Sequence, residues 1–93
     1  MTPKYNYYVT KGISKAISES AEFIRELVEA ANRFLNHDWG DLCESDKALN
    51  EQALQHAGRI LAAYPTSQGR MYIITEDTTA KVWTTTVLFA DEY

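Results

Sequence analysis

Apolar positions along this chain of 93 residues change their spacing twice, and the changes divide it into a short β-like start, a helical middle and a β-rich end. Tyr5, Tyr7, Tyr8 and Val9 form a cluster of β-forming residues that stops at Thr10-Lys11-Gly12, which predicts a short strand or extended arm. From Ile13 the spacing turns helical: Ile13 and Ile17 lie four apart, and Ala21, Ile24, Leu27, Val28, Ala31 and Leu35 follow at intervals that place them on one stripe. Ser18 or Ser20 can cap such a helix, Glu19 and Glu22 suit its positive N-terminal end, and Arg33 suits its negative C-terminal end. The helix is therefore expected over about 19–36, with Phe23, Ala30 and Phe34 widening its apolar face toward both a sheet and a second helix.

The run Asn36-His37-Asp38-Trp39-Gly40-Asp41 halts the pattern, because Asn and Asp bond their own backbone and Gly40 takes positive φ without a Cβ penalty. A second helix is expected from Ser45 as N-cap to about Ala57, with Leu49, Ala53, His56 and Ile60 on one side and Gly58 as its stop. Beyond it, residues 59–64, 70–76 and 81–89 are rich in Ile, Val, Tyr, Trp and Thr, and 65–69 and Asp77-Thr78-Thr79 separate them, which predicts three antiparallel strands. In the last strand Trp83, Thr85, Val87 and Phe89 share the face expected to meet the core, and Val82, Thr84, Thr86 and Leu88 share the other. Together these elements predict a single α+β domain over 1–93: two helices packed on a three- to four-stranded antiparallel sheet.

Composition adds exclusions. An apolar share of 45% with 24% charge is that of a globular domain. One cysteine, Cys43, allows neither an internal disulfide nor a cysteine-rich zinc module, so a reducing cytoplasm is the expected setting. The longest uncharged stretches, 60–69 and 82–90, are about half the roughly 20 residues that span a bilayer, and the first residues lack the apolar stretch of a secretory signal. No membrane association is expected. The net charge of −4 opposes a nucleic-acid backbone, so direct nucleic-acid binding is not expected either. That charge is unevenly placed: residues 1–37 come to +1, whereas 38–56 come to −4.

No glycine-rich phosphate loop, nucleophile elbow or paired-histidine metal motif occurs. His37, His56, Cys43 and the carboxylates of Asp38, Asp41, Glu44 and Asp46 match neither zinc nor calcium spacing, so no metal and no cofactor are expected. Four neighbouring acids would raise the thiol pKa of Cys43, which removes it as a nucleophile and leaves no catalytic residue to assign. Trp39 is the sharpest feature. An indole within Asp-Trp-Gly-Asp is either a lid over the core or an exposed anchor, and tryptophan is enriched among binding hot spots. As an anchor, with Asp38, Asp41, Glu44 and Asp46 as its acidic surround, it would suit a basic protein surface. As a lid, it would pass the anchor role to Tyr5, Tyr7, Tyr72 or Tyr93, and the acids would read as a solvated helix start. The N-terminal tyrosines would stack bases only if Lys4, Lys11 and Lys15 sufficed to hold phosphates, so sheet packing is the preferred reading of them.

The segments Tyr8-Val9-Thr10-Lys11-Gly12, Asp38-Trp39-Gly40-Asp41-Leu42-Cys43-Glu44, Asn50, Arg59-Ile60-Leu61-Ala62-Ala63-Tyr64, Ile73-Ile74-Thr75-Glu76 and Thr85-Thr86-Val87-Leu88-Phe89-Ala90-Asp91-Glu92-Tyr93 cover nearly the whole chain. In these the chain resembles a family of small uncharacterised proteins carried by bacterial plasmids and phages. Relatives usually join the Thr-Glu and Thr-Thr runs through Asp-Arg-Ser and place a proline before the final acidic pair. Here Asp77-Thr78-Thr79-Ala80-Lys81-Val82-Trp83 and Ala90 stand instead, so no role of that arginine carries over. The resemblance implies a mobile-element setting, in which small acidic proteins are often anti-CRISPR or anti-restriction inhibitors. The expected partner is then a host defence nuclease or effector, bound through Asp38, Trp39, Asp41, Glu44 and Asp46 by a monomer or homodimer. The alternative is a small homodimeric regulatory or accessory protein that binds DNA or a protein factor.

Overall fold

Thr10 ends one element and starts the next: its backbone is extended, and its hydroxyl accepts the Ile13 N–H at the head of a helix. The computed structural model describes residues 4–56, 58–76 and 82–93. In chain order these form β1 (Lys4–Val9), α1 (Lys11–Glu19), α2 (Ala21–Leu35), α3 (Glu44–His56), β2 (Ile60–Thr66), β3 (Gly69–Glu76) and β4 (Val82–Phe89), closed by a 3-10 turn at Ala90–Glu92. The expected turn at Asp77-Thr78-Thr79, Lys81 as the first residue of the last strand, Ala57 as the last of the second helix, and the side chains of Tyr5 and His56 lie outside the described residues.

The single helix expected over 19–36 is in fact the second of two. Ser20 separates them, donating its N–H to the Ala16 carbonyl as α1 ends and accepting the Phe23 N–H at 3.0 Å as α2 begins. Its extended backbone, φ −140° and ψ 112°, forces the bend. The Ile13/Ile17 pair therefore belongs to a helix of its own, in which Ile13 and Ala16 are buried.

The fold is α+β, but the sheet is mixed rather than purely antiparallel. Its strand order is β1-β4-β3-β2, with β2/β3 and β3/β4 antiparallel and β1 parallel to β4 in the register Tyr7↔Thr85 and Val9↔Val87. A parallel neighbour needs a long crossover, and the three helices together with the β2–β3 hairpin supply it. Composition cannot display that direction, because the same β-forming residues serve either pairing.

The helices cover one sheet face. Ile60, Ala62 and Tyr64 of β2, Met71 and Ile73 of β3, and Val87 of β4 pack with Ile13, Ala16, Phe23 and Ala30, and the Phe23 and Phe89 rings lie 5.6 Å apart. The β4 face expected to meet the core does so. Thr75 and Thr85, buried on that face, satisfy each other through a hydroxyl pair at 2.8 Å. The opposite face is not bare either: Ala63, Ile74 and Leu88 are buried on it.

Two carboxylates tie distant elements together. Glu26 of α2 accepts the Ser67 N–H and hydroxyl at 2.6–3.0 Å and so fastens the β2–β3 turn. Glu92 accepts the Thr10 hydroxyl at 2.7 Å, the Phe89 N–H at 2.9 Å and the Gly12 N–H at 3.1 Å, which places a negative charge at the positive end of α1. A Cβ on Gly12 would lie 2.8 Å from that carboxylate, so a larger residue there would push the Glu92 side chain out of this position. The Thr10 hydroxyl first, then the Phe89 and Gly12 amides, hold the Glu92 carboxyl below its ordinary range.

Phe23→Ala should cost about 3–5 kcal/mol in a urea titration, the range for a fully buried aromatic. Because the folded pKa of Glu92 is depressed, its contribution is complete above the unfolded value, about 4.3, and is lost as pH falls through the folded one. Glu92→Gln should thus be less stable than the native chain at pH 7, with the gap shrinking below about pH 4. A gap of constant size from pH 7 to acid would exclude the ionised tie.

Candidate functional site

An edge strand presents backbone donors and acceptors that need partners, and β2 finds them in the segment that carries the candidate site. Asn50, only 4% exposed, donates its Nδ2–H to the Leu61 carbonyl at 2.8 Å and accepts the Leu61 N–H on Oδ1 at 3.1 Å. Two residues on, the Ala63 N–H donates to the Trp39 carbonyl at 3.1 Å and the Asp41 N–H donates to the Ala63 carbonyl at 2.7 Å. Gly40 makes the approach possible: its φ is +76°, and a Cβ there would sit 2.0 Å from the Ala63 carbonyl oxygen. Pro65, the next outward position, has no N–H to satisfy.

The loop reaches β2 because α2 ends in a defined turn. The His37 N–H donates to the Phe34 carbonyl, the Asp38 N–H donates to the Arg33 carbonyl, and His37 takes the left-handed conformation at φ 61°. Asp38 then receives Arg33 twice, Nε at 2.8 Å and Nη2 at 3.2 Å, together with the Gly40 N–H at 3.1 Å. The Arg33 guanidinium, more than the Gly40 amide, holds the Asp38 carboxyl below the usual range. The Tyr64 hydroxyl donates to the Asp38 carbonyl at 2.7 Å, and burial pushes that phenol's pKa up.

Trp39 is the lid, not the exposed anchor. It is 4% exposed, its indole N–H donates to Glu51 Oε1 at 2.9 Å, Phe34 meets it edge-on at 5.5 Å and His37 stacks on it at 5.3 Å. Once buried, the indole needs an acceptor for its N–H, and Glu51 supplies one from the adjacent face of α3. Among the five expected binding residues, Trp39 therefore belongs to the scaffold.

The four acids are placed unequally. Asp38 is taken by Arg33, and Asp41 meets Arg70 Nη1 at 3.2 Å while its carbonyl accepts Arg70 Nη2 at 3.0 Å. Glu44 has only a loose contact with Lys47 at 3.8 Å. The helix begins at Glu44, so Ser45 lies within its first turn rather than capping it, and the exposed Cys43 thiol sits 3.2 Å from the Ser45 hydroxyl. Asp46 lines a shallow hollow of about 250 Å³ with Leu49, Arg59 and Tyr93. Leu49 is 59% and Tyr93 64% exposed. Arg59 donates to the Tyr93 hydroxyl and lies over its ring at 5.2 Å, and Tyr72 meets Tyr93 edge-on at 5.7 Å. An acid, an exposed leucine and an exposed tyrosine thus meet at one place, a grouping that sequence spacing did not signal. Asp46 among the expected binding residues and Tyr93 as a reserve anchor both point there, but not to each other.

Among the described residues no three metal-ligating side chains come together, and no helix is long and apolar enough to cross a membrane. No protein-family model, curated protein or solved structure matches the chain.

Asn50→Ala strands the backbone N–H and carbonyl of Leu61, each worth about 1–3 kcal/mol when buried without a partner, and should lower stability by about 2–4 kcal/mol in denaturant. Gly40→Ala should cost at least as much, since the loop must withdraw from Ala63. A near-neutral result for both would mean that the β2 edge does not depend on this seal.

Proposed function

We propose that the protein acts without catalysis, as an inhibitor that binds the basic, nucleic-acid-holding surface of a host defence effector. The observation that carries this reading is the hollow in which Asp46 adjoins the exposed Leu49 and Tyr93, with the exposed Glu44 two residues earlier in the same first helical turn. Exposed carboxylates steer a basic partner into contact, and exposed apolar side chains beside them supply residence time. α3 holds these groups on a rigid support, since Asn50, which also lines the hollow, locks the helix to β2 and Glu51 locks it to Trp39. Asp38 and Asp41 contribute less to the field than their number suggests, because an arginine already faces each.

A second reading is a small homodimeric regulatory or accessory protein of a mobile element that binds DNA or a protein factor. The two separate in one comparison. An inhibitor should form a stoichiometric complex with a purified CRISPR or restriction effector and compete with its nucleic acid, whereas a DNA-binding regulator should retard a DNA fragment in a salt-dependent way.

With such an effector in hand, Glu44→Gln with Asp46→Asn should slow association about several-fold at low salt and flatten its salt dependence. Leu49→Ser should instead speed dissociation while leaving the urea midpoint unchanged. Association rates untouched by neutralising both acids would place the contact surface elsewhere.

A further inference from the structure

An aromatic pair props α2 near each of its ends. Phe23 meets Phe89 of β4 at 5.6 Å on one side, and Phe34 is turned edge-on to Trp39 at 5.5 Å on the other. Between these props the facing side chains are short, Ala31 on the helix and Thr85 and Val87 on β4, and they do not fill the space between the layers. What remains is a groove of about 250 Å³ lined by Ala31, Phe34, Leu35, Ile73, Thr85 and Val87, with Tyr7 at its side. Ile73, Thr85 and Val87 form a buried floor, whereas Leu35 at the mouth is 62% exposed. Protein interiors are packed about as densely as organic crystals, so an apolar gap of this size is a departure from the rest of the core.

The floor has one hydrogen-bond donor to spare. Thr75 and Thr85, 1% and 3% exposed, give each other a partner at 2.8 Å, but two hydroxyls carry two protons and the bond between them uses one. The other proton has no acceptor among the described residues, whichever way that bond runs. If Thr75 donates, the spare proton is on Thr85, which lines the groove. If Thr85 donates, it is on Thr75, which lines a narrower pocket of about 80 Å³ that adjoins the groove at Phe34, Leu35 and Thr85. A buried donor left unmet costs free energy, so both arrangements favour an acceptor oxygen entering from the apolar space.

We infer that the groove between α2 and the sheet binds a small uncharged molecule, apolar except for one carbonyl oxygen that accepts the spare hydroxyl proton. Volume sets its size: a cavity of about 150 Å³ is enough for benzene, so this groove takes a molecule of two fused rings. Its neutrality follows from the walls. No charged side chain is among the described lining residues, and an ionised group would lose its hydration there without a counter-charge. A single acceptor matches a single donor, and a ligand with several polar groups would strand the surplus. Apolar walls with one or two polar groups that fix orientation are the usual construction of a small-molecule site. The inference stands apart from the inhibitor reading, since no residue lines both this groove and the hollow at Asp46.

Acetylnaphthalene is the probe, with ethylnaphthalene, which lacks the carbonyl, and naphthoate, which adds a charge, as comparisons. Each is titrated into the full chain and followed by calorimetry and by the methyl resonances of Ala31, Leu35, Ile73 and Val87. The ketone should bind about tenfold more tightly than the hydrocarbon, the effect of one hydrogen bond, and naphthoate should not bind. Thr75→Val with Thr85→Val removes both hydroxyls at nearly constant shape and should bring the ketone down to the hydrocarbon's affinity. Ala31→Leu fills the groove and should abolish binding of both without lowering the urea midpoint. If the double variant fails to fold, the native ranking and Ala31→Leu decide. Equal binding of ketone and hydrocarbon, shifts confined to other methyls, binding or a lowered midpoint in Ala31→Leu, or no binding up to the solubility of the ketone each overturns the inference. So do shifts of the same methyls on concentrating the chain without ligand, which would give the groove to a second copy.

Discussion

An unpaired backbone at a sheet edge costs free energy wherever water is excluded, and the middle of this chain is arranged around that constraint at β2. Leu61 and Ala63 each turn an N–H and a carbonyl outward, and all four groups are met by side-chain or main-chain partners drawn from 39–50. Meeting them fixes much else. Asn50 must face β2, which sets the rotation of α3; Gly40 must lie against Ala63, which sets the path of the loop; and Trp39, between them, is turned inward over Phe34 with Glu51 placed to take its N–H. The pairing of Asp38 with Arg33 and of Tyr64 with the Asp38 carbonyl holds the loop from its other end.

How much of this was legible depended on whether the governing signal was local. The strand and helix types were read correctly because Ile, Val, Tyr and Thr runs and three-four spacing are properties of consecutive residues. Of the two serines expected as caps, Ser18 and Ser20, it is Ser20 that caps α2. What escaped was the bend it creates: Ile13 and Ile17 fit the same helical period as Ala21 and Ile24, and a break of a single residue leaves a periodic pattern nearly intact. The direction of β1 escaped for a different reason, since parallel and antiparallel strands draw on the same residues and only the crossover decides.

At the candidate site the limit was the ambiguity of polar residues near a tryptophan. Asp38 and Asp41 look alike in sequence to Glu44 and Asp46, yet the first two face arginines contributed by α2 and β3, while the last two face solvent. Trp39 could be read as lid or anchor because the acceptor that settles the matter, Glu51, lies twelve residues away on a helix whose rotation is set by Asn50. Tyr93 joins Asp46 and Leu49 only through the curl of the chain after β4. Trp39, Gly40, Asn50 and Glu92, residues within the segments singled out in the sequence, prove to be among those that hold elements together.

The tie between Glu92 and Thr10 spans 82 positions, and β1 and β4 pair over nearly the same distance. The β2–β3–β4 hairpins and the helices between β1 and β2 can form from near neighbours, but β1 cannot pair with β4 until β4 has been made. During synthesis an aromatic β-forming segment therefore emerges well ahead of the strand that completes it. Folding speed should be governed by that one closure, and the stretch Tyr5 to Val9 must be kept from other strands for as long as the ribosome takes to make β4.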